Sequence, residues 1–134
     1  MPFTPFHMGA GLALKAMAGR HFSVLTFGMA QVAMDIEPLV GMLREAALLH
    51  GPTHTYLGAV PIALATAALA PWLCRPLLRR WNREVQHHRV EWLHENELWR
   101  PRTVLLGALA GTWSHVLLDS VMHADITPWA PWSG

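Results

Sequence analysis

Near the end of the chain, a histidine, an aspartate and a second histidine follow one another at four-residue intervals, as His115, Asp119 and His123. The surrounding segment is apolar and predicted to be helical, so the three side chains would share one helix face. Imidazole and carboxylate groups one helical turn apart can bind a divalent metal ion. The spacing therefore predicts one wall of a metal site, although a hydrogen-bonded His–Asp pair that joins two helices would give the same pattern.

The composition indicates a membrane protein with a single small domain, residues 1–134. Hydrophobic residues make up 52% of the chain and charged residues only 14%, against roughly 25% charged residues in soluble domains. The mean hydropathy is +0.24, and the seven Trp residues suit the interface between membrane and water. A formal net charge of +1 gives no basis for expecting nucleic acid as a partner.

Two segments are predicted to cross the membrane as helices. Residues 56–74 carry no charge and are close to the roughly 20 residues that a spanning helix needs. Pro61 and Pro71 lie inside this segment, and membrane helices tolerate proline. Residues 103–118 contain one ionisable group, His115. The same segment holds small residues that allow helices to pack closely in lipid, namely Gly107, Ala108, Ala110 and Gly111.

The remaining segments are predicted to be short helices. Residues 8–14 and 22–34 would form a hairpin that turns at 19–20, and residues 36–50 would follow as a short amphipathic helix or loop. Residues 75–102 hold seven of the ten basic residues and read as an amphipathic, interfacial helical segment on the cytoplasmic side. The predicted fold is an all-α integral membrane helical bundle with two full-length transmembrane helices.

This topology places the His and acidic residues at one membrane face, opposite the arginines. The set is His7, Asp35, Glu37, His50, His54, His115, Asp119 and His123. Such donors, without a thiolate, suit Zn²⁺, Mn²⁺ or Fe²⁺. More than four candidate ligands favours two ions that share a bridging carboxylate, Asp119 or Asp35. Glu37 or Asp125 would act as a general base or would orient a ligand histidine.

Four motifs in this order resemble the YdjM-like family of small bacterial inner-membrane proteins, which are described as metal-dependent hydrolases. They are 1–7 with Gly9, 35–38, 50–55, and 115–120 with His123 and 128–129. The order of His and Asp is also distantly similar to the zinc-dependent phospholipase C and P1 nuclease superfamily. The resemblance implies an all-α fold with one or two zinc ions, and ligands at His7, Asp35, His54, His115 and Asp119, joined by His50 and His123.

Two functions stay open at the level of sequence. In the first, a membrane-bound hydrolase uses a metal-activated water to cleave a phosphoester or another polar bond of a lipid or amphiphile, at the periplasmic side of a bacterial inner membrane. In the second, the metal site is structural and holds short helices together in a non-catalytic interaction partner. A metal-transport role is less favoured, because the ligands cluster at one end instead of following a path across the membrane.

Overall fold

The structure, a computed structural model, describes residues 4–47, 49–95 and 99–132. The described residues form six α-helices and no β-strand, which confirms the predicted all-α class. The helices are α1 (Thr4–Ala18), α2 (Val24–Met34), α3 (Ile36–Leu43), α4 (Tyr56–Leu73), α5 (Arg75–His87) and α6 (Pro101–Met122). Short 3-10 turns cover Gly19–His21, Pro52–His54 and Glu91–Leu93. The first residues of the family-like motif, 1–3, lie outside the described part of the chain.

The N-terminal hairpin forms from α1 and α2, as predicted. Gly19 turns the chain with a φ of 53°, a left-handed conformation that glycine adopts without a steric penalty. The Ser23 hydroxyl then accepts a hydrogen bond from the Thr26 amide and caps the start of α2. Pro38 lies in the first turn of α3, where its missing N–H would have had no helical partner.

The two longest helices, α4 and α6, are long and apolar enough to cross a membrane. Helix α4 continues through Pro61 and Pro71, and the Thr55 hydroxyl caps it by accepting from the Gly58 amide at 2.8 Å. Only 22% of α4 is buried inside the protein, whereas the core helix of a soluble protein would be mostly covered. Large apolar side chains remain exposed along both helices, including Leu64 and Leu106.

Helix α6 lies in the middle of the bundle and packs mainly against α2 and α4. Its glycines allow the approach to α2, because a Cβ atom on Gly107 would come within 2.7 Å of the Ser23 carbonyl oxygen. A Cβ atom on Gly111 would meet the Ala30 Cβ atom at 2.8 Å. The predicted use of small residues for close helix packing is therefore confirmed.

The charged connection, residues 75–102, is helical only over its first half. Helix α5 ends at His87, and a short 3-10 turn and irregular chain follow. Residues 96–98 of this connection lie outside the described residues. Helix α5 is strongly amphipathic, since Leu78, Asn82 and Val85 face inward while its arginines are exposed. The predicted amphipathic segment is thus present, but shorter than the sequence indicated.

Candidate metal centre

Helix α6 presents His115 and Asp119 one turn apart, as the sequence predicted. The His115 Nε2 atom lies 3.1 Å from Asp119 Oδ2, and both side chains are buried. The prediction that His123 shares this helix face was wrong. Helix α6 ends at Met122, and His123 follows with extended backbone angles of φ −127° and ψ 119°. Its ring instead lies against that of His50, with the ring centroids 4.6 Å apart.

Asp119 is the centre of the cluster because its two carboxylate oxygens face different histidines. Oδ1 lies 3.1 Å from His7 Nε2 on α1. Oδ2 lies 3.1 Å from His115 Nε2 and 3.7 Å from His54 Nε2, which comes from the 3-10 turn before α4. Tetrahedral zinc with bonds of about 2.0–2.1 Å holds its ligand atoms about 3.3 Å apart. The spacing around Asp119 is therefore compatible with ligands around an ion, as it is with hydrogen bonds such as that between His7 and Asp119.

Three imidazole nitrogens in the cluster are buried without a hydrogen bond to any described residue. They are the Nε2 atoms of His50, His54 and His115. His54 Nε2 lies 3.7 Å from Asp119 Oδ2, beyond hydrogen-bond distance, and His115 Nε2 lies 3.1 Å from the same oxygen without forming a hydrogen bond. A buried polar atom left without a partner costs about 1–3 kcal/mol. A cation placed among these lone pairs would remove that cost.

The opposite nitrogen of His115 is fixed by Gln31. The Gln31 Nε2 group donates to the Gly111 carbonyl at 3.1 Å and to Ser114 Oγ at 3.2 Å, which orients the amide. Its oxygen then faces His115 Nδ1 at 2.6 Å. An amide oxygen can only accept, so the proton of His115 resides on Nδ1 and the lone pair on Nε2. This is how a second residue usually prepares a histidine for metal binding.

Glu37 and Asp125 orient the other two histidines in the same way. Glu37 Oε2 lies 3.4 Å from His54 Nδ1 and also accepts from the Gly51 amide and the Thr53 hydroxyl. Asp125 Oδ2 accepts from His50 Nδ1 at 2.9 Å. Of the two roles that the sequence left open, these contacts favour orientation of a ligand for Glu37, whereas the exposure of Asp125 fits both roles.

Burial and the neighbouring His115 and His50 lower the pKa of His54, which keeps its ring neutral and able to bind a metal. The hydrogen bond from His50 lowers the pKa of Asp125, so this carboxyl group stays ionised. The rings of His7 and His115 stack at 4.8 Å with an interplanar angle of 18°.

Three overlapping trios of ligand atoms result, and within each trio the atoms lie within 4.8 Å of one another. The trios are His7–His115–Asp119, His50–His54–Asp119 and His50–His123–Asp125. Asp119 belongs to the first two, so it is the better placed of the two predicted bridging carboxylates. Asp35, at the junction of α2 and α3, borders the first trio with its Oδ1 atom 3.5 Å from His115 Nε2.

The structure thus brings together all nine residues that the sequence analysis selected. Sequence reasoning missed Gln31 and Thr53, which contact the rings of His115 and His54, and Ser114, which contacts the Gln31 amide. The sequence did contain a signal for Gln31, because a side-chain amide in the otherwise apolar stretch of α2 needs a hydrogen-bond partner when it is buried. Thr53 and Ser114 carry no comparable signal, since hydroxyl residues are common in turns and helices.

A family comparison places this chain among known sequences. The family model DUF4184, described as a domain of unknown function, matches residues 1–133. The chain belongs to the DUF4184 family. No curated protein and no solved structure matches it. Since the description of DUF4184 assigns no activity, the resemblance to the YdjM-like family stays a prediction.

Two cavities open beside the cluster of this DUF4184 chain. One, of about 330 Å³, is lined by Phe6, His7, Leu118 and Met122, so its walls are apolar except at the histidine. The other, of about 670 Å³, is lined in part by His50, Thr55 and Asp125. The cluster is therefore bordered by an apolar opening at His7 and by a larger, more polar opening at His50 and Asp125.

Proposed function

We propose that the protein is a membrane-bound, metal-dependent hydrolase that acts on a phosphoester or another polar bond of a lipid or amphiphile. The observation that carries this proposal is the set of unpartnered Nε2 atoms of His50, His54 and His115. Each of these rings is held from its Nδ1 side by an acceptor. Lone pairs aimed inward from rings that are fixed from behind are the usual form of a histidine metal site.

The donor set fits zinc best, with manganese or iron as further possibilities, because it combines imidazole and carboxylate groups without a thiolate. His7 and His115 would bind one ion and His50 and His54 a second, with Asp119 bridging them. His123 and Asp35 border the two positions. When bound, such ions supply a water molecule of lowered pKa and polarise the bond to be cleaved.

The two openings support an amphiphilic substrate. The apolar cavity at His7 suits the hydrocarbon part of such a molecule, and the cavity at His50 and Asp125 can admit water and a polar group. Asp125 is 31% exposed and reaches this cavity, so it is better positioned than Glu37 to accept a proton from a water molecule. Its hydrogen bond with His50 would hold the carboxylate in place at the cavity.

The proposed location is the bacterial inner membrane, with α4 and α6 crossing it. Four arginines lie on α5, which follows directly after α4, and the positive-inside rule would put them in the cytoplasm. The metal centre, at the opposite end of α4 and α6, would then face the periplasm. Cysteine substitutions at Thr127 and Arg83, made in a Cys74→Ala background, test this orientation. A membrane-impermeant maleimide applied to whole cells should label position 127, and labelling only of position 83 would reverse the topology.

A structural metal site is the second candidate, and burial is the observation in its favour. The exposed fractions of His7, His115 and Asp119 are 5%, 0% and 4%. Structural zinc sites are closed in this way, whereas catalytic sites keep one position open. In that case the metal would hold α1, α6 and the turn before α4 together, and the protein would serve as an interaction partner in the membrane.

Elemental analysis of the purified protein tests the metal site itself. We expect one or two equivalents of a divalent metal in the wild type and none in the His115→Ala/Asp119→Ala variant. His87→Ala/His88→Ala, which changes two histidines outside the cluster, is the matched control and should keep its metal. Metal-free wild-type protein, with a Tm that a chelator leaves unchanged, would contradict both candidate functions.

A second variant separates the enzyme from the structural protein. Asp125→Asn changes the carboxylate that reaches the larger cavity and leaves both trios at Asp119 intact. If the protein is a hydrolase, this variant should retain most of its metal but lose hydrolysis of phospholipids and model phosphodiesters. If wild-type protein loaded with metal shows no hydrolysis and unfolds when the metal is removed, the structural role is favoured.

A further inference from the structure

A second group of unpartnered polar atoms lies far from the histidines, where α5 meets the segment before α6. Arg75 and Arg79 line a cavity of about 180 Å³ together with Leu78 and Trp99. The indole Nε1 atom of Trp99 is buried and has no hydrogen-bond partner in the described ranges. A buried N–H group beside two guanidinium groups forms a set of donors with no acceptor.

In the described part of the chain, Arg75 and Arg79 form no ion pair with a carboxylate. Arg75 and Arg79 are four residues apart, so they lie on the same side of α5 and repel each other. An anion between them would remove this repulsion and would accept a hydrogen bond from the Trp99 indole N–H group.

We propose that Arg75, Arg79 and Trp99 form a binding site for the phosphate group of an anionic membrane lipid. Guanidinium groups bind phosphate oxygens through paired, charge-assisted hydrogen bonds, and an indole N–H adds one more donor. The cavity is smaller than the 300–1,000 Å³ typical of sites for whole organic ligands, which fits a headgroup phosphate. Because α5 begins where the apolar helix α4 ends, an acyl chain of the same lipid can lie along α4.

The neighbouring arginines of α5 provide a matched control. Arg80 and Arg83 line a separate cavity with Glu84 and His87, and Glu84 would repel a phosphate. The double variants Arg75→Gln/Arg79→Gln and Arg80→Gln/Arg83→Gln each remove two positive charges from the same helix. A general attraction between α5 and an anionic surface would weaken equally in both variants, whereas a defined site would be lost only in the first.

The experiment is a titration of the full-length protein in a neutral detergent with short-chain phosphatidylglycerol, read by calorimetry. We expect saturable binding of one lipid, weakened about 30-fold in Arg75→Gln/Arg79→Gln, since each arginine near an anionic lipid contributes about 1 kcal/mol. Trp99→Phe keeps the ring without its N–H group and should weaken binding about tenfold. Arg80→Gln/Arg83→Gln should bind within about twofold of the wild type, and circular dichroism should give the same helix content for all variants.

Two further ligands identify the source of the phosphate. Inorganic phosphate and glycerol phosphate present the same oxygens without an acyl chain, so they should bind at least about tenfold more weakly than the lipid. Equal affinity for free phosphate, lost in the same variant, would overturn the lipid assignment and leave a site for a soluble phosphate. Equal weakening in the two arginine variants, or no saturable binding in the wild type, would overturn the site itself. None of these outcomes tests the metal centre, because Arg75, Arg79 and Trp99 are not part of the histidine cluster.

Discussion

The two ends of the bundle each bury a polar cluster, one around Lys15 and Glu95 and the other around Asp119. At the first end, Lys15 Nζ lies 3.2 Å from Glu95 Oε1 and donates to the Phe22 carbonyl at 2.9 Å. The Glu95 carboxylate also accepts from the Val24 amide. The Asn82 side chain donates to the Glu95 carbonyl and accepts from the Glu95 backbone N–H group. Donors and acceptors match, and the charges of Lys15 and Glu95 cancel.

At the second end, donors and acceptors do not match. Five imidazole rings lie in contact with carboxylates or with one another, and three of their Nε2 atoms have no hydrogen-bond partner in the described chain. The carboxylates of Glu37, Asp119 and Asp125 face histidines, and none of the ion pairs between described residues gives them a lysine or an arginine. Divalent cations would supply the missing positive charge.

The difference between the ends shows how a structural polar cluster can be told from a ligand site. Both are buried, so burial alone does not separate them. The Lys15 end satisfies its polar atoms from within the chain, and removal of any one partner should only destabilise it. The Asp119 end leaves three Nε2 atoms without a hydrogen bond in the described chain. If the proposed cation binds there, substitutions should change metal binding first and stability through the metal.

The largest expected effect is that of Asp119→Asn. This change is nearly isosteric but removes the charge shared by two ligand trios, so both ions should lose a ligand together. We expect metal affinity to fall by more than about 100-fold, beyond the 10–100-fold typical of residues behind the ligands. Competition with a chromogenic chelator measures this affinity. A variant that keeps two equivalents of metal with wild-type affinity would contradict the shared position of Asp119.

Lys15→Met, at the other end of the bundle, should lower stability without changing metal binding. It leaves the buried Glu95 carboxylate without its cation, which should cost about 3–5 kcal/mol of folding free energy. Thermal unfolding in detergent measures the loss, and the metal content should not change. The double variant Lys15→Met/Glu95→Gln should recover most of the stability, because a neutral amide can still accept from the Val24 amide. Loss of metal in Lys15→Met would mean that the two clusters are coupled.

A smaller effect is expected for Gln31→Leu, which removes the acceptor behind His115. The ring would no longer be held with its lone pair on Nε2, so metal affinity should fall about 10–100-fold while the metal remains bound at saturation. Chelator competition measures the metal affinity, and circular dichroism checks the helix content of the variant. Gln86→Leu, on the exposed side of α5, is the matched control. Equal affinity in both variants would contradict the orienting role of Gln31.

Much of this arrangement follows from the sequence because charge and hydropathy act over whole segments. The uncharged run at 56–74 and the small residues around Gly107 predicted α4 and α6 with nearly their observed bounds. The clustering of His7, His54 and Asp119 followed from topology alone, since helices of alternating direction return to the same end of a bundle. Their roles as ligands stay a prediction.

The sequence failed where a single contact decided the outcome. No sequence pattern predicted the burial of Lys15, which is 1% exposed because Glu95, 80 residues away in the chain, lies beside it. His123 appeared to extend the helix face of His115, but the helix ends one residue earlier. Neither the distant carboxylate nor the exact end of α6 has a signature in local periodicity.

The smallest expected effects come from the two helix caps, one at each end. Thr55→Ala removes the cap of α4, and Ser23→Ala removes the cap of α2 beside the Lys15 cluster. Each should lower stability by about 1 kcal/mol, because a capping hydroxyl satisfies one free amide. Only Thr55→Ala should also weaken metal binding, by less than about tenfold, since Thr55 follows His54 and bonds the Pro52 carbonyl of the same turn. Thermal unfolding and chelator competition on both variants check this. Weaker metal binding in Ser23→Ala, or unchanged binding in Thr55→Ala, would mean that the stability of the turn does not govern the position of His54.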